Sequence, residues 1–286
     1  MNTQKITIEQ ALQQAAQKII SASGLPLAEA RIEARTLLLH TLQQSHAWLI
    51  SHGDDMLSER HGKDFHHVLA RRLEGEPIAY ILGYREFFGL QLKVSPATLI
   101  PRQDTEILVE TALALIPSKN AWHIADLGTG SGAIALAIAH QRPDCQLWAT
   151  DQSEEALTIA QENARLLQVN NIHFRHGSWF APLTDLSFDL IVSNPPYIPQ
   201  QDAHLTQGDL RFEPLSALAS GHDGLADIRS IIQQSKQHLS PHGFLLLEHG
   251  FDQAQSIANI AYENQASHVS HIKDLAGLDR VSQIQF

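Results

Sequence analysis

The chain has 286 residues and a formal charge of −11, from 20 Lys and Arg against 31 Asp and Glu. With 43% hydrophobic and 18% charged residues it has the composition of a globular protein, which excludes a disordered or low-complexity chain. A single cysteine, Cys145, excludes an intrachain disulfide framework and a Cys-rich zinc site. The Gln-rich first twenty residues lack the apolar core of a signal peptide, and no stretch approaches the roughly 20 apolar residues of a membrane span. A cytoplasmic protein of two domains is expected, with no membrane contact.

Taken in chain order, the first part reads as helices. Thr7 to Gln10 has the form of a capping box, and Leu12, Ala16, Ile19 and Ile20 follow at helical spacing until Gly24. Pro26 can open a second helix through Ala30, Ala34, Leu37 and Leu38, a short piece surrounds residues 47–50, and a longer one runs from about Asp64 to Leu73. Gly75 and Pro77 are expected to end this bundle, giving a domain of residues 1–75. It holds eight basic and eight acidic side chains, whereas residues 76–286 hold 12 and 23. A surface that binds duplex nucleic acid needs an excess of Lys and Arg, so direct nucleic-acid binding is not expected.

Phe87, Phe88, Leu90, Leu92 and Val94 around Gly89 predict two short strands within a linker of residues 76–103. Asp104 can cap the next helix, which opens a third segment, 104–286. There, short apolar runs at 123–127, 146–151, 172–175, 188–193 and 244–248 alternate with helical stretches at 133–140, 154–167, 225–239 and 253–262. Two more strand candidates lie near 268–271 and 280–285. Repeated β-α alternation predicts an α/β fold with a mostly parallel sheet and helices on both faces.

Two constellations carry chemistry. Asp126-Leu127-Gly128-Thr129-Gly130-Ser131-Gly132 joins a strand to a helix, and glycines there let a backbone turn tightly and approach a ligand. A plain β-α turn explains the glycines equally well. Asp151 closes the next strand, where a carboxylate can accept both hydroxyls of a ribose, and the pair of features favours an adenosine-bearing cofactor. The second constellation, Asn194-Pro195-Pro196-Tyr197, follows the 188–193 run. Two prolines can simply break a strand, but ligands of open α/β sheets sit at strand carboxyl ends. The Asn194 side-chain oxygen and a rigidly held Pro195 carbonyl offer two acceptors side by side, matching a planar NH₂ group, and Tyr197 offers it a flat face. No metal set is expected: His61, His66 and His67, like the pairs His173 with His176 and His268 with His271, lack a third ligand at recognisable spacing.

The glycine loop with Asp151 resembles the S-adenosyl-L-methionine loop of class I methyltransferases, and Asn-Pro-Pro-Tyr resembles that of their amino-methylating subset. With Pro77–Gly83, Arg85–Phe88, Leu99–Glu106 and Asp274–Gly277, the chain resembles the protein-glutamine methyltransferases that modify peptide chain release factors. Gln103 replaces that family's usual proline, and the tail 281–286 is atypical. The resemblance implies a class I methyltransferase fold and S-adenosyl-L-methionine as cofactor. It implies a methyl transfer to the N5 amide of a glutamine in the GGQ motif of release factors, modulating translation termination. By the same resemblance, Asp126, Gly128, Thr129, Gly130, Ser131, Gly132, Asp151, Trp179 and Asn194 bind cofactor. Asn194 and Pro195 are catalytic and, with Pro196 and Tyr197, grip the glutamine. Trp179 is equally readable as a core aromatic and Asp126 as a carboxylate ordering its own loop; Leu99 to Glu106 is a further candidate wall. Residues 1–75 become a substrate-recognition domain of a monomer. A ribosomal protein or, less well, DNA adenine are the alternative substrates, and a non-catalytic binding module is the alternative class.

Overall fold

The computed structural model describes residues 6–118 and 121–286, and the chain divides into two units, Met1–Gly83 and Tyr84–Phe286. The first unit is helical: α1 (Ile8–Ser23), α2 (Leu27–Leu42), α3 (His46–Ser51), α4 (Glu59–Leu73) and α5 (Ile78–Leu82). The capping box forms: the Thr7 hydroxyl accepts the Gln10 N–H at 3.2 Å, and Gln10 Oε1 accepts the Thr7 N–H at 3.0 Å. Helix α4 begins five residues before Asp64, because Ser58 caps it by accepting the His61 N–H at 3.2 Å. Its first turn is polar, so apolar spacing carried no sign of it. Pro77 does not end the helices either, since α5 follows it and closes at Gly83. Ala15, Ile19, Ala30, Ala34, Leu37, Leu38, Phe65 and Leu69 form a purely apolar core.

The second unit opens with an antiparallel hairpin, β1 (Tyr84–Phe87) and β2 (Leu90–Lys93), turning at Phe88 and Gly89. Both turn residues have positive φ, the backbone that matches strand twist in a two-residue hairpin loop. Asp104 does not cap the helix that follows: residues Gln103–Thr105 form a 3-10 turn, and α6 (Glu106–Leu115) continues from it without a side-chain cap. Then β3 (His123–Leu127), α7 (Ala133–Gln141), β4 (Gln146–Asp151), α8 (Glu154–Leu166), β5 (Ile172–His176) and β6 (Phe188–Ser193) alternate. Short 3-10 turns between residues 203 and 217 lead to α9 (Ala226–His238), β7 (Leu239–Glu248), α10 (Ala254–Glu263), β8 (His268–Lys273) and β9 (Asp279–Gln285).

The strands form one seven-stranded sheet, ordered β5-β4-β3-β6-β7-β9-β8, in which β9 alone runs opposite to the other six. Successive strand residues face opposite sides, so each strand feeds two cores. Leu190, Val192 and Leu246 pack with Leu108, Leu136 and Ile138 on one face, while Ile191, Leu245 and Leu247 pack with Ile231 and Ile257 on the other. Strand order reverses at β3, which pairs with both β4 and β6, and the crevice beyond the carboxyl ends of these strands is where such sheets bind ligands. Among the described residues, no helix is long and apolar enough to cross a membrane.

Candidate active site

The glycine loop leaves β3 and is pinned to β4. The Gly128 and Thr129 N–H groups both donate to the Thr150 carbonyl at 2.9 Å. The Gly130 N–H donates to Asp151 Oδ2 at 2.8 Å, and the Ser153 N–H donates to Asp151 Oδ1 at 2.9 Å. Each oxygen of Asp151 is thus fixed by one loop amide and keeps lone-pair capacity for a further donor. Burial raises its pKa, against the pull of those hydrogen bonds. Gly128 has φ +73, and a Cβ there would lie 3.1 Å from Cζ3 of Trp179. The indole therefore rests against bare backbone. Gly132 serves packing instead: its Cβ would lie 2.9 Å from Leu136 and 3.2 Å from Ala160, where α7 meets α8.

Around this loop lies an open cleft walled by Gly128 to Ser131, Asp151, Trp179, Asn194 and Pro196. Leu99, Pro101, Arg102 and Thr105 form a second side, so the 99–106 segment does contribute a wall. Pro214, Ser216 and Ala217 form a third that the sequence reading missed. Glu213 ties these two sides together, ion-paired to Arg102 and accepting the Ile100 N–H at 3.0 Å. Its only sequence signal was an acidic residue before a proline.

Four of the expected residues are off the cleft wall. Asp126 is wholly buried; its Oδ2 accepts the Thr129 hydroxyl at 2.6 Å and the Ala135 N–H at 3.2 Å, while Oδ1 has no hydrogen-bond partner among the described residues. Burial pushes its pKa up to about 7. This is the geometry of a carboxylate that orders its own loop. Gly132 packs as described, and Pro195 is buried. Tyr197 turns its phenol to Glu248, donating to Oε1 at 3.4 Å, while its carbonyl accepts from Gln253 at 3.0 Å. Burial and the neighbouring carboxylate push that phenol's pKa up.

Asn194, at the end of β6, donates its Nδ2 to the Thr105 hydroxyl at 3.2 Å. That contact commits the nitrogen end of the amide and leaves Oδ1 as the acceptor for a ligand N–H. The buried Asn163 braces the whole corner, donating to the Ser131 carbonyl at 2.9 Å and exchanging hydrogen bonds with the Lys93 backbone of β2 at 2.7 and 3.0 Å. Among the described residues no three His, Cys, Asp or Glu side chains gather into a metal-binding set.

Comparison with known proteins agrees with this geometry. The methyltransferase small domain family matches residues 103–210, and the PrmC N-terminal domain family matches residues 10–83. A release factor glutamine methyltransferase from Xylella fastidiosa is 48% identical over 88% of this chain and 92% of its own length. One of the same name from Vibrio cholerae is 46% identical over 98% and 97%. A solved methyltransferase from Pyrococcus furiosus, 21% identical over 75% of this chain and 95% of its own, superposes with a TM-score of 0.52 and supports the fold. With its class I methyltransferase sheet and these relatives along nearly its whole length, the chain belongs to the release factor glutamine methyltransferase family.

Proposed function

We propose that the protein transfers a methyl group from S-adenosylmethionine to the side-chain amide nitrogen of a glutamine in a peptide chain release factor, with Asn194 holding that nitrogen. The observation that carries this reading is the placing of Asn194 in the same cleft wall as the glycine loop, Asp151 and Trp179. The residues present fit the cofactor: Gly128 offers a surface that a Cβ would fill, beside an indole, and Asp151 holds two oriented acceptors. Asp151 takes the ribose hydroxyls, Trp179 borders the adenine, and Gly128 to Gly132 wraps the methionine part. Asp126 acts on the cofactor only by shaping this loop.

When bound, S-adenosylmethionine supplies a methyl group on a positively charged sulfur. An amide nitrogen is a weak nucleophile because its lone pair is delocalised into the carbonyl. Asn194 Oδ1, in the cleft wall, accepts one of its two N–H groups, and the backbone carbonyl of Pro195, whose residue is otherwise buried, is assigned the other, which holds the nitrogen in line and favours a localised lone pair. Pro196, in the cleft wall, confines the plane of the amide, and Tyr197 holds this turn in place through Glu248 and Gln253. The nitrogen lone pair would form the new N–C bond as the bond from that carbon to sulfur breaks with its pair staying on sulfur, which becomes a neutral thioether, and one N–H proton would pass to solvent.

The helical unit recognises the release factor, a role supported by the balanced charge of residues 1–75 and their lack of any of the chemical motifs. A full-length release factor is then a far better substrate than a short glutamine peptide, because remote contacts orient the target loop. The protein works as a cytoplasmic monomer without nucleic acid, in keeping with its −11 charge. The test is to supply methyl-labelled cofactor with a release factor, ribosomal proteins or duplex DNA and locate the label by mass spectrometry. Label on a release-factor glutamine is expected. Label confined to a ribosomal protein or to adenine overturns the reading.

A further inference from the structure

Glu248 ends β7 next to the site, yet nothing in the methyl transfer described above uses it. Ser193 of β6 is in register with Leu247 of β7, so the next residues, Asn194 and Glu248, leave neighbouring strands side by side. Glu248 is 1% exposed, and its Oε2 has no hydrogen-bond partner among the described residues. A buried carboxylate with an unpaired oxygen is costly, so its retention calls for an explanation. Two groups of the site turn toward it. The Tyr197 phenol donates to Oε1 at 3.4 Å, and the Thr105 hydroxyl favours the charged form of the carboxylate.

Thr105 is the link to Asn194. A hydroxyl has one proton and two lone pairs. Its oxygen accepts the Asn194 Nδ2, so its proton is what it can offer to Glu248, which when charged can only accept. Were the Asn194 amide reversed, its oxygen would face the Thr105 oxygen with no proton between them. The charged carboxylate therefore selects the amide orientation that presents Oδ1 to a ligand. Arg280 supports the same corner, lying 3.4 Å from Asp104 and 3.2 Å from Asp274.

We infer that Glu248 is a positioning residue that acts through the Thr105 hydroxyl to fix which end of the Asn194 amide meets the substrate nitrogen, an inference that rests on the role of Asn194 proposed above. Burial pushes the Glu248 pKa up to about 7, with Asp104 adding to the rise and Thr105, Arg280 and Tyr197 opposing it. Protonation turns the carboxyl into a donor, and Thr105 then no longer has to point its proton away from Asn194.

The experiment is single-turnover methyl transfer to a release factor at saturating cofactor, with cofactor affinity measured alongside. Glu248→Gln keeps the shape but can donate as well as accept. It is expected to lower the rate by on the order of 10-fold to 10²-fold, as small misplacements of a reacting group do, with cofactor Kd unchanged within about twofold. The wild-type rate falls as pH drops below about 7, and the Glu248→Gln profile lacks that limb. Thr105→Val gives a similar loss, Thr105→Ser recovers most of it, and the double variant Glu248→Gln with Thr105→Val loses little more than either alone. If Glu248→Gln does not fold, the Thr105 pair decides, because a hydroxyl needed only for packing would not be rescued by serine. Wild-type rates in Glu248→Gln or Thr105→Val, with Asn194→Ala inactive, overturn the positioning role alone. A wild-type rate in Asn194→Ala overturns the reading of Asn194 itself, and the inference with it.

Discussion

The two units bury different things. The helical unit has a core of alanine, leucine, isoleucine and phenylalanine, and its ion pairs, such as Arg72 with Glu33 at 2.8 Å, keep partial access to water. The methyltransferase unit buries Asp126, Glu213 and Glu248 as well as two apolar cores. Burying a carboxylate opposes folding unless donors meet it, and two of these three have an oxygen without a partner among the described residues. The first unit is thus built for stability and for the surface it presents, while the second gives up stability around a cleft that must hold polar atoms in fixed directions.

Substitutions can break that contrast from either side. The largest expected effect is in the helical core, where Leu37→Ala leaves a cavity at a fully buried position. It should cost about 2–5 kcal/mol in denaturant unfolding while cofactor affinity stays put. Loss of cofactor affinity would mean that the helical unit also shapes the cleft. Next is Asp151→Ala, which should weaken cofactor binding roughly 10²-fold in titration calorimetry through the loss of charge-assisted hydrogen bonds. Because Asp151 also holds the Gly130 and Ser153 amides, the variant should speed hydrogen exchange in the glycine loop. Unchanged affinity would take Asp151 out of the cofactor site.

The most gradual effect, spread over several pH units, concerns Asp126. Its pKa rises from 3.8 to about 7 on folding, so between those values the folded state binds more protons than the unfolded one. Stability contributed by the protonated form is present at low pH and is lost as pH rises toward about 7, by at most about 1.4 kcal/mol per pH unit. Asp126→Asn should flatten that slope in Tm measured against pH. A slope equal to wild type would assign it to other groups, Glu248 first.

Much of the fold and part of the cleft wall were legible because the signals are local. Strands β3, β4 and β6 match their apolar runs, and the glycine loop, Asp151 and Asn194 are read from consecutive residues that sit at strand ends. The polar start of α4 and the five-residue α5 were not legible, since neither carries a helical apolar repeat. Asp104 misled because a 3-10 turn, not a capped helix, follows Arg102. Thr105 was read only as part of the 99–106 wall, and Glu213 and Glu248 were invisible, for a different reason. Each matters through a partner 89, 113 or 51 positions away, and one sequence does not reveal which strand ends become neighbours.

The central claim is that one cleft holds the methyl donor by its glycine loop and the acceptor amide by Asn194. Single-turnover transfer to a release factor by wild type and Asn194→Ala, each saturated with cofactor, tests it most directly. The predicted result is a rate lower by on the order of 10² or more at unchanged cofactor Kd and unchanged Tm, as when one preorganised polar contact at the reacting centre is lost. An Asn194→Ala variant that transfers methyl at the wild-type rate would contradict it.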